Sequence, residues 1–240
     1  MVGKSQIKFI KSLQQKKYRN QYGMFIAEGV KTVQELINSR LRPHKIYITS
    51  LDLQLTESGL VETISEVDLK KISSLKNPNK VLGIFKIPQP NNVDLDDWIL
   101  ALDDVRDPGN LGTIIRLCDW FGIEHLVCSK NTVDCYNPKV LQATMGSITR
   151  VNIVYTDLGE FLTKTGLPVY GTFMDSDGIC SSVLPKKGIL VMGNEANGIS
   201  DEIENLVHSR VSIPQYGSEA TESLNVATAT AIFLHEIRRP

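Results

Sequence analysis

The chain has 240 residues, of which 42% are hydrophobic and 22% are charged. These values are typical of water-soluble globular proteins, and the length accommodates two domains. No apolar run approaches the roughly 18 residues that a membrane-spanning helix needs. The first six residues also lack the apolar core of a signal peptide, so we expect a cytoplasmic protein that contacts no membrane.

The net charge of -1 conceals an asymmetry along the chain. Residues 1–50 carry ten Lys or Arg and two acidic residues, a balance of +8, whereas the remainder carries 16 basic and 25 acidic residues, a balance of -9. A basic segment suits contact with nucleic-acid phosphates, because their neutralisation releases counterions. A solvated, lysine-rich helix face explains the charge equally well.

The cysteine and histidine spacing argues against a metal site. The four cysteines form no C-x-x-C pair, and the four histidines form no H-x-x-x-H pair. We therefore expect neither a bound metal nor a disulfide framework.

The first third of the chain mixes helical and extended patterns, which favours a small α/β domain. Apolar residues recur at helical spacing in its second helix. The predicted elements are a helix from Lys4, an extended segment at 24–27, a helix from about Gly29 to Asn38, strands at 45–48 and 81–86, and a helix beginning near Asp68.

A linker is predicted at residues 87–92, where two prolines and two asparagines disfavour both helices and strands. The predicted domains are therefore residues 1–90 and 95–240.

The second domain alternates strands and helices, which predicts a parallel sheet covered on both faces. Ser223 is the predicted N-cap of its last helix. Strands are predicted at 98–102, 125–128, 151–154, 169–173, 188–192 and 210–213, and helices at 111–121, 138–147 and 224–238.

The common nucleotide and hydrolase signatures are absent from this domain. No G-x-G-x-x-G follows an early strand, and no G-x-S-x-G is present. Gly193 to Gly198 has the spacing of a P-loop, but Ile199 and Ser200 follow where Lys and Ser or Thr are required.

Three separated segments place Gly, Pro or Asn where an apolar strand gives way to a loop or helix, which is where open α/β sheets build ligand sites. They are D-P-G-N-L-G-T-I-I-R at 107–116, G-N-E-A-N-G at 193–198, and I-P at 213–214 followed by S-L-N-V at 223–226. In order and separation they resemble motifs one, two and three of the SpoU/TrmH family of RNA ribose 2'-O-methyltransferases.

The resemblance covers about residues 95–240, and F-I-A-E-G at 25–29 is similar to the family's N-terminal substrate-binding domain. It implies a small N-terminal α/β RNA-binding domain and a C-terminal parallel-sheet domain with a deep trefoil knot. It also implies a homodimer that uses S-adenosylmethionine to methylate structured RNA, with rRNA favoured over tRNA. Residues 215–222 separate the I-P and S-L-N-V parts of the third motif, and this spacer is longer than the family usually has.

The resemblance also assigns site residues. Cofactor contacts fall on Gly193, Ile213 and Leu224, with Thr172 and Gly198 as further candidates. Methyl transfer from a sulfonium requires alignment and proton removal, and it requires no metal.

Arg116 is the family's key catalytic position. Its guanidinium can hold an RNA phosphate bidentately, and a role as base is left open because arginine retains its proton tightly. An ion pair with Asp119 or Asp104 is the alternative.

Four further residues are catalytic candidates, each with a simpler alternative. Asn110 could bond Arg116, Glu195 or the ribose, or be only a turn former and helix cap. Glu195 could anchor its loop or steer Arg116, or be a solvated carboxylate. Ser223 and Asn225 could orient cofactor and substrate, although capping explains Ser223 equally well.

Lys16, Lys17 and Arg19, interleaved with two tyrosines, are candidates for RNA contact. An ordinary basic surface is the alternative. Trp98 and Trp120 are expected to be packing residues, with platforms for stacking bases as the alternative.

Two rival functions remain open from the sequence. One is a catalytically silent RNA-binding protein of the same fold, and the other is a knotted relative that methylates a base.

Overall fold

The computed structural model describes residues 2–50, 59–174, 184–217 and 223–239. The chain divides into two compact units. The first comprises Met1–Gln89 with Asp134–Thr149, and the second comprises Pro90–Val133 with Arg150–Pro240. Residues 134–149 therefore group with the basic N-terminal part of the chain, and the domains at 1–90 and 95–240 stay a prediction.

Nine α-helices and ten strands occur in the described residues. In chain order they are α1 (Lys4–Ser12), α2 (Lys16–Tyr22), β1 (Met24–Glu28), α3 (Val30–Ile37), β2 (Pro43–Ile48), β3 (Val61–Thr63), α4 (Glu66–Ile72), β4 (Val81–Lys86), β5 (Ile99–Leu102), α5 (Pro108–Phe121), β6 (His125–Ser129), α6 (Pro138–Thr144), β7 (Asn152–Thr156), α7 (Leu158–Thr165), β8 (Val169–Thr172), β9 (Ile189–Met192), α8 (Asp201–Glu204), β10 (Ser209–Val211) and α9 (Val226–Arg238).

The first unit is built on a four-stranded sheet in the order β1-β4-β2-β3. Strand β4 is antiparallel to β1 and to β2, whereas β2 and β3 are parallel. Its core contains apolar side chains of both the helices and the strands, including Ile10, Leu13, Ile26, Ile72 and Leu82. The single helix predicted before β1 is two helices, and the three-residue strand β3 was too short to be predicted.

The second unit contains a six-stranded sheet in the order β10-β8-β9-β5-β6-β7, with every pair parallel. The predicted parallel sheet is confirmed. Every residue of β5 and β9 is buried, as expected for strands covered on both faces. The deep knot that the resemblance implies stays a prediction.

The strand order places two functional loops side by side. From β5 the chain proceeds to β6 and β7 on one side, whereas β9 lies against the other side of β5. The loops after β5 and β9 therefore lie where the strand order reverses. Open α/β sheets bind ligands at such a position. The first motif follows β5, and the second follows β9.

The predicted start of the last helix is wrong. Helix α9 begins at Val226, and its N-cap is Asn225, whose side-chain oxygen accepts hydrogen bonds from the backbone N–H groups of Ala227 (2.9 Å) and Thr228 (3.3 Å). Ser and Asn are both good N-caps, so the sequence pattern did not separate Ser223 from Asn225.

The two tryptophans differ in their surroundings. Trp98 is buried, as predicted, and its indole N–H donates to the Pro185 carbonyl at 3.1 Å. The prediction that Trp120 is a packing residue is wrong for the described chain, in which 83% of this residue is exposed. Trp120 lies on α5, whose buried face is formed by other residues such as Ile114 and Cys118.

Candidate active site

A cavity of about 770 Å³ opens in the second unit at the carboxyl ends of β8 and β9. Residues of the second and third motifs and of α9 form much of its lining. The five residues predicted to contact the cofactor all line this cavity, and they are Thr172, Gly193, Gly198, Ile213 and Leu224. Their contacts with a cofactor stay predictions.

The second motif forms a closed loop. The backbone of Asn194 pairs with that of Gly198 through hydrogen bonds of 2.8 and 3.0 Å. A Cβ atom on Gly193 would lie 2.2 Å from the carbonyl carbon of Gly198, and Gly198 itself has a φ of +71°. Both positions therefore require glycine, the first for space and the second for conformation.

Asn194 ties this loop to the end of β5, a role that the sequence did not reveal. Its side-chain oxygen accepts the backbone N–H groups of Ala196 (2.9 Å) and Asn197 (3.1 Å), while its amide donates to the Asp104 carbonyl at 2.6 Å. Asp104 adopts a left-handed conformation, with a φ of +59°. Asn and Asp tolerate such conformations better than other side chains, which is the signal that could have identified the turn.

Glu195 anchors the loop of the first motif. Its carboxylate accepts backbone N–H groups of Arg106 and Asp107, both at 3.1 Å, and the Asn110 side-chain amide at 3.0 Å. Burial opposes ionisation, but hydrogen bonds from Asn110 and from backbone N–H groups outweigh it, so the pKa of Glu195 lies below its ordinary value. The interpretation of Glu195 as a merely solvated carboxylate is wrong.

Asn110 connects all three motifs. Its side-chain N–H donates to Glu195, and its side-chain oxygen accepts a hydrogen bond from the Asn225 amide at 2.8 Å. The cap of α5 is Asp107, whose carboxylate accepts the Asn110 backbone N–H at 2.8 Å. Asn110 is thus more than a turn former or cap, since its side chain joins the loops on either side.

Arg116 projects from the exposed surface of α5 and does not line the cavity. No residue in the described parts of the chain is hydrogen-bonded or ion-paired to its guanidinium. The two carboxylates considered as alternative partners are engaged elsewhere, since Asp119 pairs with Arg150 and Asp104 pairs with Arg106. The alternative of an internal ion pair is therefore wrong for the described chain.

Ser223 and Asn225 reach the site through the third motif. Both line the cavity, together with Leu224 between them. Of the long spacer, Gln215, Tyr216 and Gly217 also line the cavity, and residues 218–222 lie outside the described residues.

Phe173 and Glu204 form a wall of the cavity that the sequence did not reveal. The guanidinium of Arg210 lies 3.6 Å from the Phe173 ring centroid and forms an ion pair with Glu204. A Cβ on Gly171 would lie 2.7 Å from a Phe173 ring atom, so the glycine leaves room for this ring. The wall therefore combines an aromatic face with a paired carboxylate.

The prediction that Arg19 contacts RNA is corrected by its burial. Arg19 is only 2% exposed, and its guanidinium donates to the Leu13 (3.0 Å) and Gln14 (2.9 Å) carbonyls and forms an ion pair with Asp134. All these groups belong to the first unit. Arg19 therefore holds the turn between α1 and α2, and its side chain has no free edge for a phosphate.

Lys16 and Lys17 remain at the surface of α2. The Lys17 ammonium lies 5.8 Å from the centre of the Tyr18 ring, and Tyr18 stacks on Tyr22 with centroids 6.4 Å apart. The RNA contacts of both lysines stay predictions.

The described residues contain neither a metal-binding cluster nor a membrane-spanning helix. No group of three or more His, Cys, Asp or Glu side chains in residues 2–50, 59–174, 184–217 and 223–239 is arranged to hold a metal ion. Over the same ranges, no helix is both long and apolar enough to cross a bilayer.

Comparisons with known proteins agree with this geometry. A model of the SpoU rRNA Methylase family matches residues 97–235, and a model of the MRM3-like substrate binding domain matches residues 4–83. The chain is 28% identical over 239 residues to the 23S rRNA (guanosine(2553)-2'-O)-methyltransferase RlmP of Bacillus subtilis, a match that covers 97% of this chain and 95% of that protein.

Two solved structures superpose on the whole chain. A TrmH-family protein from Porphyromonas gingivalis does so with a TM-score of 0.90 and 37% identity, covering 99% of that chain. An AdoMet-bound rRNA methyltransferase from Sinorhizobium meliloti gives a TM-score of 0.87 and 30% identity, covering 97% of that chain. The predicted membership is confirmed, and the chain belongs to the SpoU rRNA methylase family.

Proposed function

We propose that this protein transfers the methyl group of S-adenosylmethionine to a ribose 2'-hydroxyl of ribosomal RNA. The observation that carries the proposal is the hydrogen-bonded chain from Glu195 through Asn110 to Asn225. It joins the three motif loops beside one cavity, to which Glu195 and Asn225 both contribute.

The cavity suits a nucleoside that carries an amino-acid chain. Its volume of about 770 Å³ lies within the range of small-molecule sites. Apolar side chains such as Met192, Ile213 and Leu224 can cover the purine, while backbone groups of the Gly193–Gly198 loop can bind polar atoms. The bound cofactor supplies an activated methyl group, and these residues orient it.

Arg116 is proposed to bind an RNA phosphate and thereby align the target ribose. Its guanidinium has no partner in the described residues, so all its donors are available to a substrate. Glu195 is proposed to position the loops instead of accepting the ribose proton. Three hydrogen bonds occupy its carboxylate and keep it ionised.

Lys16 and Lys17 are proposed to bind the RNA backbone outside the catalytic centre. Both are exposed on a segment with a strong positive balance, and the neighbouring Tyr18 and Tyr22 rings could stack on unpaired bases. Ribosomal RNA is favoured over tRNA because the matched family model and the RlmP relative carry that designation.

We also propose that the protein acts as a homodimer, in the cytoplasm. Trp120 and Arg116 are four residues apart on α5 and so share a helix face. A second copy that covers the exposed Trp120 indole would lie next to Arg116. Light scattering of the wild type should give twice the mass of one chain. In Trp120→Asp the measured mass should shift toward that of the monomer. A monomeric wild type would refute the dimer, and cell fractionation tests the location.

The direct test incubates the protein with labelled S-adenosylmethionine and unmodified large-subunit rRNA transcribed in vitro. Digestion to nucleosides and mass spectrometry should show a 2'-O-methylated nucleoside. A methylated base would instead establish the base-modifying alternative. RNA binding without cofactor binding or transfer would establish the silent RNA-binding alternative.

Two glycine variants supply the matched control. In Gly193→Ala the new methyl group collides with loop backbone, so we expect loss of cofactor binding and transfer. In Gly59→Ala the methyl group meets no atom of the described residues within 4 Å, so binding should be unchanged. Calorimetric titration with the cofactor distinguishes the two, and equal affinities would contradict the assignment of this cavity.

A further inference from the structure

A second arginine lies on the loop of the first motif, and its guanidinium is held in a fixed orientation. The Nε atom of Arg106 donates to Oδ1 of Asp104 at 2.9 Å, and its Nη2 donates to Oδ2 of the same carboxylate at 2.8 Å. This is a forked pair between two planar groups, which fixes the guanidinium more firmly than a single contact would.

The fork leaves the other edge of the guanidinium unused. Arginine has five N–H donors, and Asp104 takes the one on Nε and one of the two on Nη2. No described residue is hydrogen-bonded to Nη1. The Arg106 side chain is 69% exposed, so the Nη1 and Nη2 edge faces solvent with three donors in one plane. Such an edge matches two oxygens of a phosphate.

The position of Arg106 ties this edge to the catalytic loops. Its backbone N–H donates to Glu195, the same carboxylate that binds Asn110. Its partner Asp104 in turn accepts the Asn194 amide on its carbonyl oxygen. Arg106 is therefore attached to both the first and the second motif, although it does not line the cofactor cavity.

We propose that Arg106 binds a phosphate of the RNA substrate through its Nη1 and Nη2 edge, while Asp104 holds the guanidinium in place. The inference rests on the proposed function, because it assumes that RNA approaches these loops. It gives the site a second phosphate contact besides Arg116, on the loop that precedes α5. In the opposing interpretation, the ion pair between Arg106 and Asp104 only stabilises the conformation of the loop.

Arg106→Gln and Arg106→Lys test the proposal, with Lys164→Gln as the matched control. Lys164 is 71% exposed and also pairs with a carboxylate, that of Glu160, but it lies on α7. Affinity for in vitro transcribed large-subunit rRNA, its dependence on salt, and cofactor affinity are measured for the full-length protein.

Arg106→Gln should weaken RNA binding about tenfold, since a charge-assisted bidentate contact is lost. The slope of log affinity against log salt should become shallower by about 0.7 to 0.9, as for one phosphate contact fewer. Arg106→Lys should restore the slope and only part of the affinity, because an ammonium cannot form the fork. Cofactor affinity should be unchanged in both variants.

Unchanged RNA affinity in Arg106→Gln would overturn the inference, and so would an equal loss in Lys164→Gln. A parallel loss of cofactor affinity and of folding stability would establish the loop-shape interpretation instead. If the wild-type protein neither binds the cofactor nor methylates RNA, the proposed function fails. If the wild type is active and Arg106→Gln binds RNA equally well, only this inference fails.

Discussion

Arg19 and Arg116 represent two regions of the molecule that use the same side chain in opposite ways. Arg19 lies on α2, and its guanidinium is occupied by Asp134 and by two carbonyls of the turn between α1 and α2. Arg116 lies on the exposed surface of α5, where no described residue pairs with it. A basic residue in a basic segment can therefore be structural, while an isolated one can be available to substrate.

The largest expected effect is on folding, in Arg19→Met. The substitution leaves Asp134 without its arginine and two carbonyls without a donor, so the free energy of unfolding should fall by about 3 to 5 kcal/mol. Urea denaturation measures the change, and Lys17→Met on the same helix should stay within about 0.5 kcal/mol of wild type. A stable Arg19→Met variant that had lost only RNA affinity would contradict the structural role of Arg19.

The opposite outcome is expected for Arg116→Ala. The rate of methyl transfer should fall by about 100-fold or more, because substrate alignment is lost. The free energy of unfolding should change by less than about 0.5 kcal/mol, since no hydrogen bond or ion pair with a described residue is removed. Single-turnover transfer and urea denaturation provide the two readouts. Arg116→Lys should recover only part of the rate, and full activity of the alanine variant would refute the assigned role.

Asn225→Ala tests whether one residue contributes both to the stability of the fold and to methyl transfer. Asn225 caps α9 and also donates to Asn110, so its loss should cost about 1 kcal/mol of stability and also reduce transfer. Ser223→Ala removes no cap and should cost less than about 0.5 kcal/mol. Thermal denaturation and transfer assays report both effects. A reduced rate in Ser223→Ala at unchanged stability would support the catalytic prediction for Ser223.

The smallest effect concerns pH. Because the folded-state pKa of Glu195 is lowered, its ionised form stabilises the fold above the ordinary value near 4.5, and this contribution is lost as pH falls below that value through the folded-state pKa. Glu195→Gln cannot titrate, so its stability should depend less on pH in that acidic range. Urea denaturation at a series of acidic pH values measures this, and identical profiles would contradict the prediction.

The strand pattern and the motifs could be predicted from the sequence because both depend on local residue order. Strands β5 and β9 are continuous apolar runs, and the glycines of the second motif mark a tight turn. Those signals led to the correct fold class and family. The family resemblance that the motifs carry also led to five residues that line a single cavity.

The errors on Arg19 and Trp120 have a common physical origin, since burial depends on contacts between residues that are distant in the chain. Asp134, which pairs with Arg19, is 115 positions away in the chain. Trp120 has an apolar side chain, and hydropathy gives no sign that it stays exposed. Asn194 and Asp104 were missed because their hydrogen bond depends on β9 lying beside β5.

The side-chain amide of Asn110 can form its two hydrogen bonds in only one orientation. Its nitrogen faces a carboxylate that can only accept, and its oxygen faces an amide that donates, so a flipped amide would lose both hydrogen bonds. An aspartate of the same size would set two anions against each other at this junction. One polar group, with unlike ends, thus decides how three loops distant in the chain are assembled.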